Sequence, residues 1–209
     1  MYPISRHSPR LHLRELTPQD AEGVFAIYGD ARATEHMSFE PRTRDDVEAI
    51  VARSITSAAA DPRQEYALAL TTTESEDGRL IGFGRLALDP HQPRAATFGF
   101  ALNPEIWGQG YGTETVRLLL ACAFEDLGLH RVWGARSPHN TASARTMERA
   151  GLTEEGYIRE HVQRAGRWRD SVTHSILDHE YRASESGAAA ASSTGPARGD
   201  QHWNPSQPL

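Results

Sequence analysis

The sequence predicts an α+β fold, a mixed sheet flanked by helices, and three observations carry that expectation. Short apolar and aromatic runs of strand character are interleaved with stretches whose apolar residues recur every three or four positions. Two of these runs, 97–102 and 131–136, are separated by a helical stretch, the kind of crossover that parallel neighbours in a sheet require. Between the first run and that helix lies a glycine cluster, Gly108, Gly110 and Gly112.

Taken in order, Leu11 and Leu13 alternate with His12 and Arg14, which predicts a first strand behind an N-terminal arm of residues 1–10. Thr17-Pro18-Gln19-Asp20 supplies an N-cap, a proline at the first helical position and an acid in the first turn. Ala21, Val24, Phe25 and Tyr28 then share one face of a helix that Gly29-Asp30 ends. Residues 31–40 form a short polar segment, a turn of helix or a loop. Thr43 caps a second helix with Val47, Ile50, Val51 and Ile55 as its buried stripe, ending near Asp61-Pro62.

Residues 66–71 and 80–88 read as strands joined by Ser75-Glu76-Asp77-Gly78, in which Asp-Gly is a hairpin signal. Asp89-Pro90-His91-Gln92-Pro93 ends the second of them, and 95–102 forms the next. Behind the glycines, Val116, Leu119, Leu120, Ala123, Phe124 and Leu127 mark the buried face of a helix ending at Gly128. A strand at 131–136 and a helix from Thr141 to Ala150, stopped by Gly151, follow. Two strands at about 152–162 and 168–179, joined by Ala165-Gly166-Arg167, complete a domain spanning 11–182. Residues 183–209, rich in Ser, Gly, Ala and Pro, are expected to be disordered.

The 209 residues suit one domain with a substantial core. Twenty-eight acids stand against 22 arginines, no lysine is present, and the net charge of −6 offers no positive field to nucleic acid while mildly favouring a cationic or amine substrate. Cys122, inside the apolar run 118–124, reads as a small buried hydrophobe, and one cysteine gives no disulfide framework. No apolar run is long enough to cross a bilayer, and residues 1–10 lack the apolar segment of a secretory signal, so a cytoplasmic location is expected. The ten histidines show neither His-x-x-x-His helix spacing with an acid nor pairing with cysteine, so no metal site is expected.

Glycines just before a helix turn the backbone tightly and leave its first N–H groups open to an anion at the positive end of the helix dipole. A Walker loop is excluded because it needs a lysine. A dinucleotide fingerprint fits poorly, because the spacing is Gly-x-Gly-x-Gly and the region of the ribose-binding acid holds His130, Arg131 and Val132. A pyrophosphate cradle and a plain ligand-free turn remain.

The run Asn103-Pro104-Glu105-Ile106-Trp107-Gly108-Gln109-Gly110-Tyr111-Gly112-Thr113-Glu114 resembles the acetyl-coenzyme A loop of the GCN5-related N-acetyltransferases, the GNAT family. Asn140-Thr141-Ala142-Ser143, followed by Met147-Glu148-Arg149-Ala150-Gly151-Leu152, resembles the family's second signature. Glu155-Gly156-Tyr157-Ile158-Arg159-Glu160 and Gly166-Arg167-Trp168-Arg169-Asp170 are similar to the RimJ/RimL subgroup, which acetylates N-terminal amines of ribosomal proteins and whose relatives act on many small amines. The resemblance spans roughly residues 11–181.

It implies a fold in which the parallel strands 97–102 and 131–136 splay apart to admit the pantetheine arm of acetyl-CoA. The donor would be acetyl-CoA and the acceptor a primary amine, on a protein N-terminus or a small molecule. The amides of Gln109, Gly110, Tyr111, Gly112 and Thr113 would hold the pyrophosphate, and backbone groups of Phe100, Ala101 and Leu102 would bond the pantetheine and polarise the acetyl carbonyl. Asn140 and Ser143 would contact the cofactor, while Glu35, His36, Met37, Ser38 and Phe39 would line the acceptor cleft. No membrane or nucleic-acid partner is implied, and exposed strand edges leave a homodimer open.

Two positions depart from the pattern. Trp107 stands where the family usually has Arg or Gln, and Met147 stands where many members have a tyrosine that protonates the departing thiolate; a thioether has no proton to give. Ser143, one helical turn earlier, matches the subgroup's serine and is the expected donor. Glu160 is the expected base, since strict alternation sets it between Ile158 and Val162 on a core face where desolvation would raise its pKa. The subgroup's glutamate aligns nearer Val162, so the parity agrees and the register does not; a water chain to His161 or Glu35 is the other route. An acyltransferase with another donor, and a non-catalytic CoA-binding module, are the alternatives the sequence leaves open.

Overall fold

A single sheet organises the protein. The computed structural model describes residues 3–74 and 78–193, and among these the strands are β1 (Ser5–His7), β2 (Leu11–Glu15), β3 (Glu65–Thr72), β4 (Leu80–Leu88), β5 (Ala95–Leu102), β6 (Arg131–Arg136), β7 (Thr153–Arg164) and β8 (Arg167–Leu177). They lie in the order β1-β2-β3-β4-β5-β6-β8-β7. Every neighbouring pair is antiparallel except β5 and β6. The helices are α1 (Ala21–Tyr28), α2 (Ala31–Thr34), α3 (Arg44–Ala58), α4 (Tyr111–Ala121), α5 (Thr141–Arg149) and α6 (Asp178–Ser193).

Alternation along the strands divides the apolar residues between two faces. Leu68, Leu86, Ala96, Phe98, Val132 and Ile176 join Val116, Leu119 and Leu120 of α4 and Met147 of α5 in the larger core. Ala69, Phe83 and Ala101 meet Val24 and Ile27 of α1 and Val47 and Val51 of α3 in the smaller one. The long helix behind the glycine cluster changes pitch at Cys122–Asp126, a π turn that keeps Cys122, Ala123 and Phe124 buried. Among the described residues no helix is long and apolar enough to cross a membrane.

The strand limits at 80–88, 95–102 and 131–136 are those the sequence predicts. The first helix begins later, because Pro18–Asp20 is a 3₁₀ turn in which the Asp20 carboxylate accepts from the Thr17 amide at 2.7 Å. Two expectations at the chain ends are corrected. The arm of residues 1–10 contains β1, an edge strand too short to show periodicity. Residues 183–193 are helical and not disordered: α6 is rich in alanine, the best helix former, and Tyr181 anchors it with a ring centroid 5.0 Å from that of Phe124. The remainder of that segment, 194–209, and most of the expected Asp-Gly hairpin turn, 75–77, lie outside the described residues.

Beside this core Arg63 and Glu15 form a buried bidentate pair, at 2.7 and 2.9 Å. The same carboxylate accepts from the Ile4 amide at 3.0 Å, and the Arg63 guanidinium lies 4.1 Å from the Tyr66 ring centroid. Glu15→Ala would remove the bidentate carboxylate from a buried guanidinium and should cost about 3–5 kcal/mol of stability, read by urea denaturation; a loss below about 1 kcal/mol would show that solvent reaches Arg63.

Candidate active site

The parallel pair is joined over three positions only, Ala95↔Arg131, Ala96↔Val132 and Thr97↔Trp133. Beyond them β5 continues to Leu102, paired with β4 throughout, and β6 continues to Arg136, paired with β8 throughout. The strands therefore part while each is held on its outer side, and their inner backbone edges have no ladder partner. At the parting, the Phe98 ring lies where a β-carbon on Gly134 would stand, 2.7 Å from it, so only glycine fits there. On the opposite face, Gly99 has open space above it.

The glycine loop stands at the open end of this gap, following β5 after a 3₁₀ turn at Pro104–Ile106. Gly110 is the N-cap of α4 with φ +84°, a left-handed conformation natural to glycine. The first α4 bond runs from the Glu114 amide to the Gly110 carbonyl at 3.4 Å, so the N–H groups of Tyr111, Gly112 and Thr113 precede the intrahelical ladder. Gln109 and Gly110 are exposed in front of them.

Residues far away in sequence hold this loop. Arg10 donates from Nη1 to the Gln109 carbonyl at 3.0 Å and from Nε and Nη2 to Glu114 Oε2 at 2.8 and 2.6 Å, and its guanidinium lies 4.5 Å from the Tyr111 ring centroid. Ser8 Oγ donates to Glu114 Oε1 at 2.6 Å. Trp107, exposed over half its surface, donates its indole N–H to the Leu102 carbonyl at 3.1 Å and so ties the loop to the end of β5. No local pattern marks Ser8 or Arg10, because they meet Glu114 more than a hundred residues along the chain.

On the β6 side Asn140 caps α5, its Oδ1 accepting from the Ser143 amide at 3.0 Å. Ser143 is half-buried in the first turn, and its hydroxyl has no partner among the described residues. Met147 is buried in the larger core at 2% exposure, a packing residue. Arg136 fixes the turn into α5 by donating from Nη1 to the carbonyls of Ser137 and Pro138 at 3.2 and 3.3 Å. Its Nε donates to His174 Nε2 at 3.0 Å, which assigns the ring proton to Nδ1. His174 is fully buried and its Nδ1 has no partner among the described residues. Burial, then the neighbouring Arg136 charge, lowers its pKa and keeps the ring neutral.

Across the sheet, the open face at Gly99 is bordered by Arg85, its partner on β4, and by Phe83 opposite Ala101. Tyr28 stands edge-on to both Phe83 and Phe39, with centroids 4.7 Å apart in each case. Burial pushes its phenol up to about 12, against the opposing charges of Arg85 and Arg42, so it keeps its proton at neutral pH. Met37 packs on the smaller core, His36 is half-buried, and the Glu35 side chain is exposed. The Glu35 carbonyl, however, accepts from Arg164 and from Arg169 Nη1, the latter at 3.1 Å.

The setting expected for Glu160 is not found. A bulge between Ile158 and Val162 breaks the alternation of β7, and Glu160 sits in it at φ +49°, exposed, with its amide donating to Asp170 Oδ1 at 2.7 Å.

A helix N-terminus cleared by a left-handed glycine, facing the open end of two parting parallel strands, is the architecture of acyltransferases that draw on a coenzyme A thioester. The chain belongs to the GNAT acetyltransferase family and is an N-acetyltransferase: the family model described as "Acetyltransferase (GNAT) domain" matches residues 10–153. It is similar to a Bacillus subtilis protein described as the uncharacterized N-acetyltransferase YoaA, 29% identical over 180 residues that cover 85% of this chain and 98% of that one. The solved structure of Mycobacterium smegmatis RimJ in complex with CoA-disulfide superposes with a TM-score of 0.73 at 21% identity, covering 91% of this chain and 98% of that one. Spermidine N-acetyltransferase from Vibrio cholerae in complex with CoA and spermine gives 0.72 at 23%, covering 84% and 99%. At these identities the two structures are alike in fold.

The neutral state of His174 has a consequence for stability. Its folded pKa lies below the ordinary value of 6.5, so the unfolded chain takes up the proton more readily. The contribution is fully present above about pH 6.5 and is lost as the pH falls through the folded value. Urea titrations across this range should show the wild type losing stability toward acid and His174→Gln losing less; parallel profiles would mean that the ring titrates as it does in the unfolded chain.

Proposed function

We propose that this N-acetyltransferase takes the acetyl group of acetyl-CoA and passes it to a primary amine entering from the Gly99 side of the sheet, in the cytoplasm. The observation that carries the reading is the parting of β5 and β6 after Thr97 and Trp133, with the Gly110-capped helix at its open end. The residues present fit the donor. The amides of Tyr111, Gly112 and Thr113 suit a pyrophosphate, the unpaired edges of β5 and β6 suit the amides of a pantetheine, and the bound CoA and CoA-disulfide of the two structural neighbours support this.

When bound, acetyl-CoA supplies a thioester whose carbonyl carbon takes the amine's lone pair as its carbon–sulfur bond breaks. The chain's part is to place the reactants, to polarise the carbonyl from the inner-edge backbone N–H groups of Phe100 and Leu102, Ala101 between them being turned to the β4 ladder, and to handle two protons. The amine sheds one to water, since Glu160 lies exposed on the hairpin. For the sulfur, Ser143 is the proposed donor, its hydroxyl passing a proton to the thiolate as it takes one from water, so that no alkoxide is left: Asn140 already caps the helix, which leaves the serine hydroxyl uncommitted. Met147 carries no proton and its burial fits a packing role.

Thiol release from acetyl-CoA, measured against a panel of primary amines, tests the reading; tight CoA binding without release from any amine would overturn it. Ser143→Ala should lower kcat about tenfold to a hundredfold while leaving the dissociation constant for CoA within about twofold. Unchanged turnover would remove Ser143 from the reaction. Arg10→Ala should weaken CoA binding about three- to tenfold, because the loop then has to be ordered on binding; isothermal titration at fixed salt gives the comparison.

A further inference from the structure

The Gly99 face is bridged from the far side of the sheet. α1 packs on β4 and α3 on β3, α2 follows α1, and Glu35 follows α2. β8 and β7 lie beyond β6. A bond from the β7–β8 hairpin to Glu35 therefore spans β5 and β6. Alternation along β8 puts Arg169 on the side opposite Ile176, whose side chain is in the α4 core, so the span crosses the face on which α1 and α3 pack.

The span is made by two cations meeting on one neutral atom. Arg164 and Arg169 both donate to the Glu35 carbonyl, and neither has a carboxylate within ion-pair distance or a further hydrogen-bond partner among the described residues. Arginines elsewhere are satisfied differently: Arg14, Arg63, Arg85 and Arg131 each grip a carboxylate with two nitrogens. Residues 159–169 hold four arginines and one glutamate in a chain of net charge −6. Arg42, whose guanidinium lies 4.7 Å from the Phe39 ring centroid, adds a further cation on the α2 side. A carbonyl dipole does not neutralise two guanidinium ions, whereas a carboxylate placed between their free N–H groups would, with paired charge-assisted hydrogen bonds.

We propose that Arg164 and Arg169 form a carboxylate-binding rim over the acceptor site, selecting primary amines that carry an anionic group away from the reacting nitrogen. The inference rests on the acetyl-transfer reading above and specifies its substrate class. Acceptors whose remaining charges are positive, polyamines among them, would be disfavoured at this rim.

The test uses three matched series of unbranched aliphatic primary amines, ending in a carboxylate, in the corresponding amide or in a second amine, with acetyl-CoA and full-length enzyme. Thiol release should give the carboxylate series a kcat/KM at least about tenfold above its amides, mainly through KM, with the diamines lowest. In the double variant Arg164→Gln with Arg169→Gln that ratio should fall to about one, and in the pair Arg164→Lys with Arg169→Lys most of it should return, because the charge is kept. A preference for diamines, or a carboxylate-to-amide ratio that the glutamine pair leaves unaltered, would overturn the rim while acetyl transfer stands. Absence of release from every series with CoA still bound would overturn both.

Discussion

The structure depends on a parallel pair that is allowed to fail. Backbone N–H and C=O groups inside a protein are nearly always paired, so two adjacent strands that separate after three positions leave an unfilled requirement along both inner edges. The gap is framed by strands that are each stitched along the outer edge, β5 to β4 and β6 to β8. A slot whose two backbone edges lack a ladder partner is suited to an extended ligand that has amides of its own. The same sheet directs the helices, since α4 and α5 begin at the ends of the two parted strands and present their N-termini at the slot's mouth.

Arginine is the means by which loops are fixed around that slot. Arg10 reaches the Gln109 carbonyl, Arg136 the carbonyls of Ser137 and Pro138, and Arg164 with Arg169 the carbonyl of Glu35. A planar guanidinium has five donors in a fixed fork, so it can hold a carboxylate and a neighbouring main-chain oxygen at once, as Arg10 does with Glu114 and Gln109. An ammonium ion directs its donors less rigidly, and this chain contains none on a side chain.

Much of this was legible in the sequence, for reasons that also explain the misses. The strands at 80–88, 95–102 and 131–136 have sharp limits because Gly, Pro and Asp punctuate them, and the buried face of α4 follows directly from Val116, Leu119, Leu120, Ala123 and Phe124. The parallel pair was visible as a crossover, and Cys122 as a buried hydrophobe. Glu160 departs from the core face because parity along a strand assumes unbroken pleating, and nothing local announces the two irregularities in β7. The helical start of the C-terminal segment is hidden because its small residues have the composition of disorder, although alanine favours helix and Tyr181 supplies an anchor. The pinning of the glycine loop by Ser8 and Arg10 joins residues too distant for any local pattern to show it.

The π turn at Cys122–Asp126 does more than finish the central helix. Arg6 donates to Asp126 at 2.8 Å and to Glu125 at 2.8 Å, while the Tyr181 hydroxyl donates to the other oxygen of Glu125 at 2.6 Å. The first strand and the last helix are thus moored to the same two acids, and residues 6 and 181 are neighbours in space. A circular permutation that links them through a short peptide and opens new ends at an exposed turn elsewhere would preserve every contact around the slot.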